Sequence, residues 1–323
     1  MPDKDQLLLL NANDVAALLS YDDALSAVRE AFSLHSRREG RVFPVIRESL
    51  HSGGIFGIKA GDIPAQNVLG FKAAGFWPTN RPLGGEPHQA TIVLIDPHTG
   101  RPRCIIDGNS ITTLRTGAAG GLGLQTLARP DSRSLCVFGT GVQARIQTTF
   151  ALRLMPELDT VRYISIDGQP DPGFEALFLE RCRPALVTDR DAAVAASDIV
   201  ITATPGAAPL FSASAVRPGT HLNCVGADTK GKRELPAGLL ERVRLFVDDQ
   251  TQARQIGESQ WAPDTPSCEL GDLLTNNSLF TRQPNDITVF DMTGLALQDL
   301  TTARLLCARA LERGLGTHVA WPW

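Results

Sequence analysis

A short apolar run, Ser134-Leu135-Cys136-Val137-Phe138, stops abruptly in Gly139-Thr140-Gly141-Val142-Gln143-Ala144. The pattern reads as a strand, a tight glycine turn and the first turn of a helix. In a βαβ unit the first glycine permits the turn and the second lets the backbone approach a pyrophosphate. The small third position allows close helix–sheet packing, and the helix N-terminus offers its free amides to phosphate. Glycine-rich turns are common, so the motif needs context. That context is a second apolar run, Val161-Arg162-Tyr163-Ile164-Ser165-Ile166-Asp167, which follows a helix-length segment and ends in an acid 23 positions beyond Ala144. A carboxylate at that spacing meets the ribose 2′-hydroxyl of NAD. Strand-like runs at 134–138, 161–166, 185–188, 198–204, 220–225, 243–248 and 286–291 alternate with helical stretches. This alternation predicts an α/β chain with a Rossmann-type doubly wound parallel sheet.

The remainder differs in character. Residues 11–38 read as helix, with Asn13-Asp14 and Tyr21-Asp22-Asp23 as cap-like breaks. Residues 41–106 break into short β-rich segments (43–47, 54–59, 68–73, 90–95) between Gly, Pro and Asn turns, with Pro97-His98-Thr99-Gly100 as a hairpin turn. They predict a mixed or antiparallel sheet in a smaller α+β domain. A helix from Ile111 to about Leu127 contains Gly117, Gly120, Gly121 and Gly123, a costly composition unless another helix packs closely there. A last helix, about 297–314, is apolar on one side and can return to the first domain.

Composition excludes several classes. A net charge of −4 with no Lys/Arg cluster argues against a nucleic-acid footprint. No apolar run reaches the roughly 18 residues of a membrane span. The acidic start, Met1 to Leu10, lacks the basic n-region of a signal peptide, so the cytoplasm is the expected compartment. The six cysteines and six histidines are scattered without metal-ligand spacing, so no metal site is expected.

Ordered blocks across most of the chain resemble the ornithine cyclodeaminase/μ-crystallin family. They are His88-Gln89-Ala90-Thr91, Asp107-Gly108-Asn109, 113–119, 139–144, 196–204, the stretch from Gly226 to Leu235, and Val289-Phe290-Asp291 with Gly294. The segments from Gly70 to Asn80 and from Asp228 to Lys232 are similar to the family's iminosuccinate reductase branch. Cyclodeaminases carry a similar Asp-x-x-Gly-Lys block, so that element alone does not separate the branches. The resemblance implies a substrate-binding and dimerisation domain at 1–116 and 297–323, a dinucleotide-binding domain at 117–296, and a homodimer through the first. It also implies hydride transfer between a nicotinamide cofactor and a small amino or imino acid. Three outcomes stay open: reduction of an α-imino acid, cyclodeamination of ornithine to proline and ammonia, or crystallin-like ligand binding.

Each singled-out residue has a plain reading and a functional one. Arg47, Lys72 and Arg115 lie in apolar or small-residue segments. Most basic residues snorkel at surfaces, but a cationic cradle suits a substrate carboxylate. The resemblance places Arg47 and Lys72 at that carboxylate, and Arg115 and Thr116 near substrate and pyrophosphate. Asp228 alone would be a turn aspartate; the resemblance makes it, with Lys72, a catalytic candidate, and Lys232 its partner or a cofactor contact. Gly139, Thr140, Gly141, Val142, Gln143, Asp167, Thr202, Thr204, Val225, Gly226, Asp228 and Lys232 complete the expected cofactor set. Gly168-Gln169-Pro170 offers no arginine for a 2′-phosphate, so NAD(H) is expected over NADP(H). Arg162 argues the other way but precedes the strand's end. Phe76 and Trp77 read as pocket wall or plain core, and Glu258 and Glu269 as a solvated face or a helix start.

Overall fold

The computed structural model describes residues 6–322. Residues 1–5, which begin the acidic segment read for a signal peptide, and residue 323 lie outside the described residues. The chain divides into two compact units, Met1–Arg115 with Leu295–Trp323, and Thr116–Gly294.

The first unit holds β1 (Gln6–Leu10), α1 (Ala12–Leu18), α2 (Tyr21–Ser36), β2 (Arg41–Val42), β3 (Ile46–Ser49), β4 (Ile55–Ile63), β5 (Val68–Phe76), β6 (His88–Ile95) and β7 (Pro102–Asp107). Helix α3 (Gly108–Leu127) begins in it, and the C-terminal helix Ala296–Arg313 and strand Thr317–Ala320 complete it. The sheet runs C-terminal strand–β1–β7–β6–β5–β4–β2, with β3 also on β4. Only the β1–β7 pair is parallel. Two terminal elements, β1 and the C-terminal strand, are additions to the expected segments, and β7 is the second arm of the hairpin expected at 97–100. The helix starts are corrected too. The N-caps are Asn11 and Ser20, while Asp14 and Asp23 reach back from the third helical position to close capping boxes. The acids mark the first turn rather than the cap.

Along β5 the side chains alternate, as a pleated strand requires. Val68 and Lys72 are buried on the face that Leu297 and Leu300 of the C-terminal helix help to cover. Leu69, Phe71, Val93, Ile95 and Ile105 stand half-exposed on the strands of this sheet. One sheet face is thus sealed by helices and the other is an apolar surface.

The second unit is all parallel, with strands β8 (Ser134–Phe138), β9 (Thr160–Ile164), β10 (Ala185–Leu186), β11 (Ile199–Thr202), β12 (His221–Cys224), β13 (Arg244–Val247), β14 (Ser267–Glu269) and β15 (Thr288–Asp291). Their order is β10-β9-β8-β11-β12-β15-β13-β14, so the sheet winds both ways from β8 and β11. Strands β8 and β15 end where the apolar runs end, at Phe138 and Asp291, but the others end earlier; β9 stops at Ile164, leaving Asp167 in the turn beyond. Strand β14 is too short to show as a run. The glycines of α3 have a packing reason. A Cβ on Gly117 would come 2.5 Å from Phe150 and 2.6 Å from Ile146 of α4 (Val142–Leu154). One on Gly121 would come 2.7 Å from Leu154. Among the described residues no helix is long and apolar enough to cross a membrane.

Candidate functional site

The second unit's site begins where β8 ends. Gly139 has φ +101°, and a Cβ there would approach the Ala203 carbonyl oxygen at 2.8 Å, so only glycine suits the turn. The next glycine, Gly141, faces open space, and as N-cap of α4 it makes no side-chain capping bond. The first amides of this 13-residue helix are therefore left without a side-chain acceptor at a dipole-positive end, which fits a pyrophosphate. Gln143, in the first turn, has a buried Oε1 without a hydrogen-bond partner. Arg145 braces the turn: its Nε donates to the Thr140 carbonyl at 2.8 Å, and Nη2 reaches both oxygens of Asp171 at 3.1 and 3.2 Å. Asp167 is exposed, with Oδ1 accepting the Gln169 amide at 3.0 Å, a position open to a ribose. Arg162 donates to the Ala196 carbonyl at 3.3 Å.

Two loops follow the neighbouring strands. Thr202 ends β11 fully buried, and Val225 follows β12 almost as deep. Beyond them, Thr204 and Gly226 converge on Glu234, which lies inside a matched block of the sequence but has no role assigned there. Its Oε1 accepts the Thr204 amide and hydroxyl, both at 2.7 Å, and Oε2 accepts the Gly226 amide at 2.9 Å. A Cβ on Gly226 would fall 2.5 Å from the Glu234 carboxyl carbon. The Glu234 amide donates to Glu258 Oε1 at 2.6 Å, and the amides of Glu258 and Ser259 donate to Asp291 at 3.0 and 2.9 Å. All three acids are buried. Burial, followed by the Asp291 charge, pushes the Glu258 carboxyl up to about 8. Burial likewise raises Asp291 to about 7 against the hydrogen bonds from Ser259. Neither Glu258 nor Glu269 lies on a solvated face. Glu258 opens a short 3₁₀ turn, Glu269 caps the helix Leu270–Thr275, and both are buried. Farther along, Asp228 pairs with Lys232 at 2.8 Å, and Lys232 also donates to the Gly226 carbonyl at 3.3 Å. Their loop is docked through the Gly231 amide on Gln260 and the Lys232 carbonyl on Trp261.

The first unit's site is a cluster of cations around one acid. Lys72, from the helix-covered face of β5, reaches Asp299 of the C-terminal helix at 2.8 Å and Thr112 of α3 at 3.2 Å. Arg115, one turn along α3, donates to Asp299 at 3.1 Å and to Gln298 at 3.1 Å. Lys72 and Asp299 are almost wholly buried. Arg47 crosses Gly57, whose missing side chain leaves room for it, and its charge is felt at Lys72. Burial, then the charge of Arg115, lowers Lys72 to about 8, although Asp299 opposes the shift. Burial would raise Asp299, but Lys72 and Arg115 together hold it below the usual carboxylate range. Two buried cations thus share one carboxylate, with Arg47 close enough to add a third charge. That excess suits an anionic ligand.

The expected trio Arg47, Lys72 and Arg115 is therefore brought together, around an acid that sequence reasoning missed. Asp299 sits among Leu297, Leu300 and Ala303 on a helix buried along its first turns, so only its place in an otherwise apolar surround could have flagged it. Other matched blocks have local work. Asp107 accepts the amides of Asn109 and Ser110 to cap α3, and His88 Nδ1 lies 3.1 Å from Asn109 Oδ1. Trp77 lies over Gly54 and Gly75.

The profile of the Ornithine cyclodeaminase/mu-crystallin family matches residues 5–314. The chain is 31% identical over 325 residues to an iminosuccinate reductase of Paracoccus denitrificans, covering 97% of this chain and 99% of that protein. Its structure is similar to an archaeal alanine dehydrogenase dimer with bound NAD, at TM-score 0.89, 29% identity and coverage of 97% and 99%. It is equally similar to the Thermococcus litoralis Delta(1)-pyrroline-2-carboxylate reductase in complex with NADH and L-proline, at TM-score 0.89, 27% identity and coverage of 97% and 100%.

Proposed function

The chain belongs to the ornithine cyclodeaminase/mu-crystallin family, and from that premise we propose that it reduces a small α-imino acid with NADH. Iminosuccinate is the first candidate, a cyclic ketimine the second. The observation that carries the reading is the buried pairing of Lys72 and Arg115 on the single acid Asp299. A site built with surplus positive charge in low dielectric needs an anion to complete it, and an α-imino acid brings a carboxylate.

When bound, the nicotinamide supplies the hydride that converts C=N to C–N. The protein's part is to bind and orient the substrate. The planar fork of Arg115 and the Lys72 ammonium hold the substrate carboxylate, with Arg47 taking a share. A dicarboxylate such as iminosuccinate uses all three cations. The imine nitrogen must carry a proton to accept a hydride at carbon, and Asp228 is the acid assigned to orient that N–H. Lys232, 2.8 Å from Asp228, donates to that carboxylate and fixes its orientation. The turn at Gly139–Val142 takes the pyrophosphate, Asp167 the adenosine ribose, and Thr116, Gln143, Thr204, Val225 and Gly226 line the remaining cofactor path.

The lyase reading uses the same residues, because cyclodeamination oxidises an amino acid and then reduces the ring imine. One assay separates them: oxaloacetate, ammonia and NADH in one arm, ornithine with catalytic NAD in the other. NADH loss with aspartate formation is the expected result. Proline formation without net NADH change would replace the reductase by the cyclodeaminase. Silence in both arms, and with a cyclic ketimine and NADH as well, would leave a binding protein.

A further inference from the structure

We propose that Glu234 is a positioning residue for the nicotinamide half of the dinucleotide, tying the loops after β11 and β12 into one rigid wall. The inference rests on the reading that the second unit binds NAD(H).

Three observations lead there. First, the carboxylate of Glu234 accepts donors from two separate loops, Thr204 after β11 and Gly226 after β12. A chain segment that follows a strand has no ladder to hold it, so an outside acceptor fixes its course. Second, the two loops could not approach as they do with a larger residue. A Cβ on Gly226 would collide with the Thr204 carbonyl as well as with the Glu234 carboxylate. The carboxylate occupies the space that the glycine vacates. Third, Glu234 is itself held. Its amide bonds to Glu258, the Glu258 amide bonds to Asp291, and Asp291 is the last residue of the core strand β15. The brace is anchored in the sheet, not floating in a loop.

Topology says which half of the cofactor this wall serves. A dinucleotide crosses a doubly wound sheet at its switch point, here between β8 and β11. The glycine turn, β9 and Asp167 lie on one side of that point and take the ADP portion. Strands β11 and β12 lie on the other, with the loops that Glu234 ties, and so take the nicotinamide riboside. Loosening the brace should cost nicotinamide placement and leave ADP recognition in place.

Glu234→Gln tests this, because the isosteric amide turns an N–H₂ toward the Gly226 or Thr204 donors and loses at least one acceptor. NADH and ADP-ribose are titrated separately into wild type and variant, following the fluorescence of bound NADH and the heat of ADP-ribose binding. The expected result is an NADH Kd raised by about 10-fold and an ADP-ribose Kd changed by less than about 2-fold, in a variant that still folds cooperatively at a somewhat lower thermal midpoint. Equal weakening of both ligands, or unchanged NADH affinity, overturns the assignment. If Glu234→Gln does not fold, Glu234→Asp keeps the charge while shortening the reach to the two loops. The same split in direction then supports the brace, and no split overturns it. A wild-type chain that binds neither ligand overturns the dinucleotide reading itself, which is visible before any variant is made.

Discussion

Lys72 shows how a buried cation becomes a pH-dependent ligand group. With its ammonium lowered to about 8 by burial and by Arg115, it is charged below that pH and increasingly neutral above it. The charged form binds a substrate carboxylate, so kcat/KM should fall as pH rises through about 8. Asp299 opposes the lowering, so Asp299→Asn should drop Lys72 further and move the alkaline limb to lower pH. An unmoved limb would mean that another group sets it. Lys72→Ala should reduce turnover at least ~100-fold while NADH titration stays near wild type. In the other unit, Asp167 stands exposed where a ribose is expected. Its negative charge should repel a 2′-phosphate, giving NADH the lower Kd, and Asp167→Ala should narrow the gap. Equal binding of NADH and NADPH by wild type would remove Asp167 from that role.

At the scale of elements, the glycines of α3 and the acids behind the cofactor loops each make a separate stability claim. In Gly117→Ala the added methyl falls 2.5 Å from Phe150 and 2.6 Å from Ile146, two buried side chains that must shift to admit it. Overpacking costs about 1–3 kcal/mol, against about 1 kcal/mol regained in helix propensity, so a net loss of up to about 2 kcal/mol is expected in denaturant melts. The acids act through protons. Glu258 is raised from 4.5 to about 8 and Asp291 from 3.8 to about 7. The folded chain therefore binds more protons than the unfolded one between those limits, and these groups make it less stable as pH rises from about 5 to about 8. Glu258→Gln keeps an acceptor for the Glu234 amide but removes the titration. Its stability should vary less with pH and exceed wild type at pH 8 and above. A wild-type slope retained in the variant would place the proton uptake elsewhere.

For the whole molecule, the consequential feature is the sheet face of the first unit that its own helices leave uncovered. Leu69, Phe71, Val93, Ile95 and Ile105 present apolar surface on adjacent strands. Such a face is an aggregation hazard unless it is paired, and a two-fold axis lets each copy cover the other. We therefore expect a homodimer through this unit. Light scattering after gel filtration should give about twice the 34.7 kDa chain mass, and Phe71→Glu should shift it toward the single-chain value. A wild-type mass near 34.7 kDa would defeat the dimer.

Local physics was enough for the second unit. A Gly-x-Gly-x-x-Ala run after an apolar strand, the spacing to Asp167 and the alternation of strands and helices are properties of the chain itself, and they specified a doubly wound parallel sheet with a glycine turn after its first strand, where Gly139 takes φ +101°. Resemblance in order along the chain then picked out Arg47, Lys72, Arg115 and Asp228. Helix caps were legible only to within a few residues, because the acids that signal the first turn sit at its third position. What the sequence could not disclose were partners brought together across long separations. Lys72 and Asp299 are 227 positions apart, and Glu234 meets Thr204 from 30 positions away. A buried acid among leucines and one in a loop look like any other acid until the fold removes their water. Desolvation then forces each to find a donor, and only the tertiary structure decides which one.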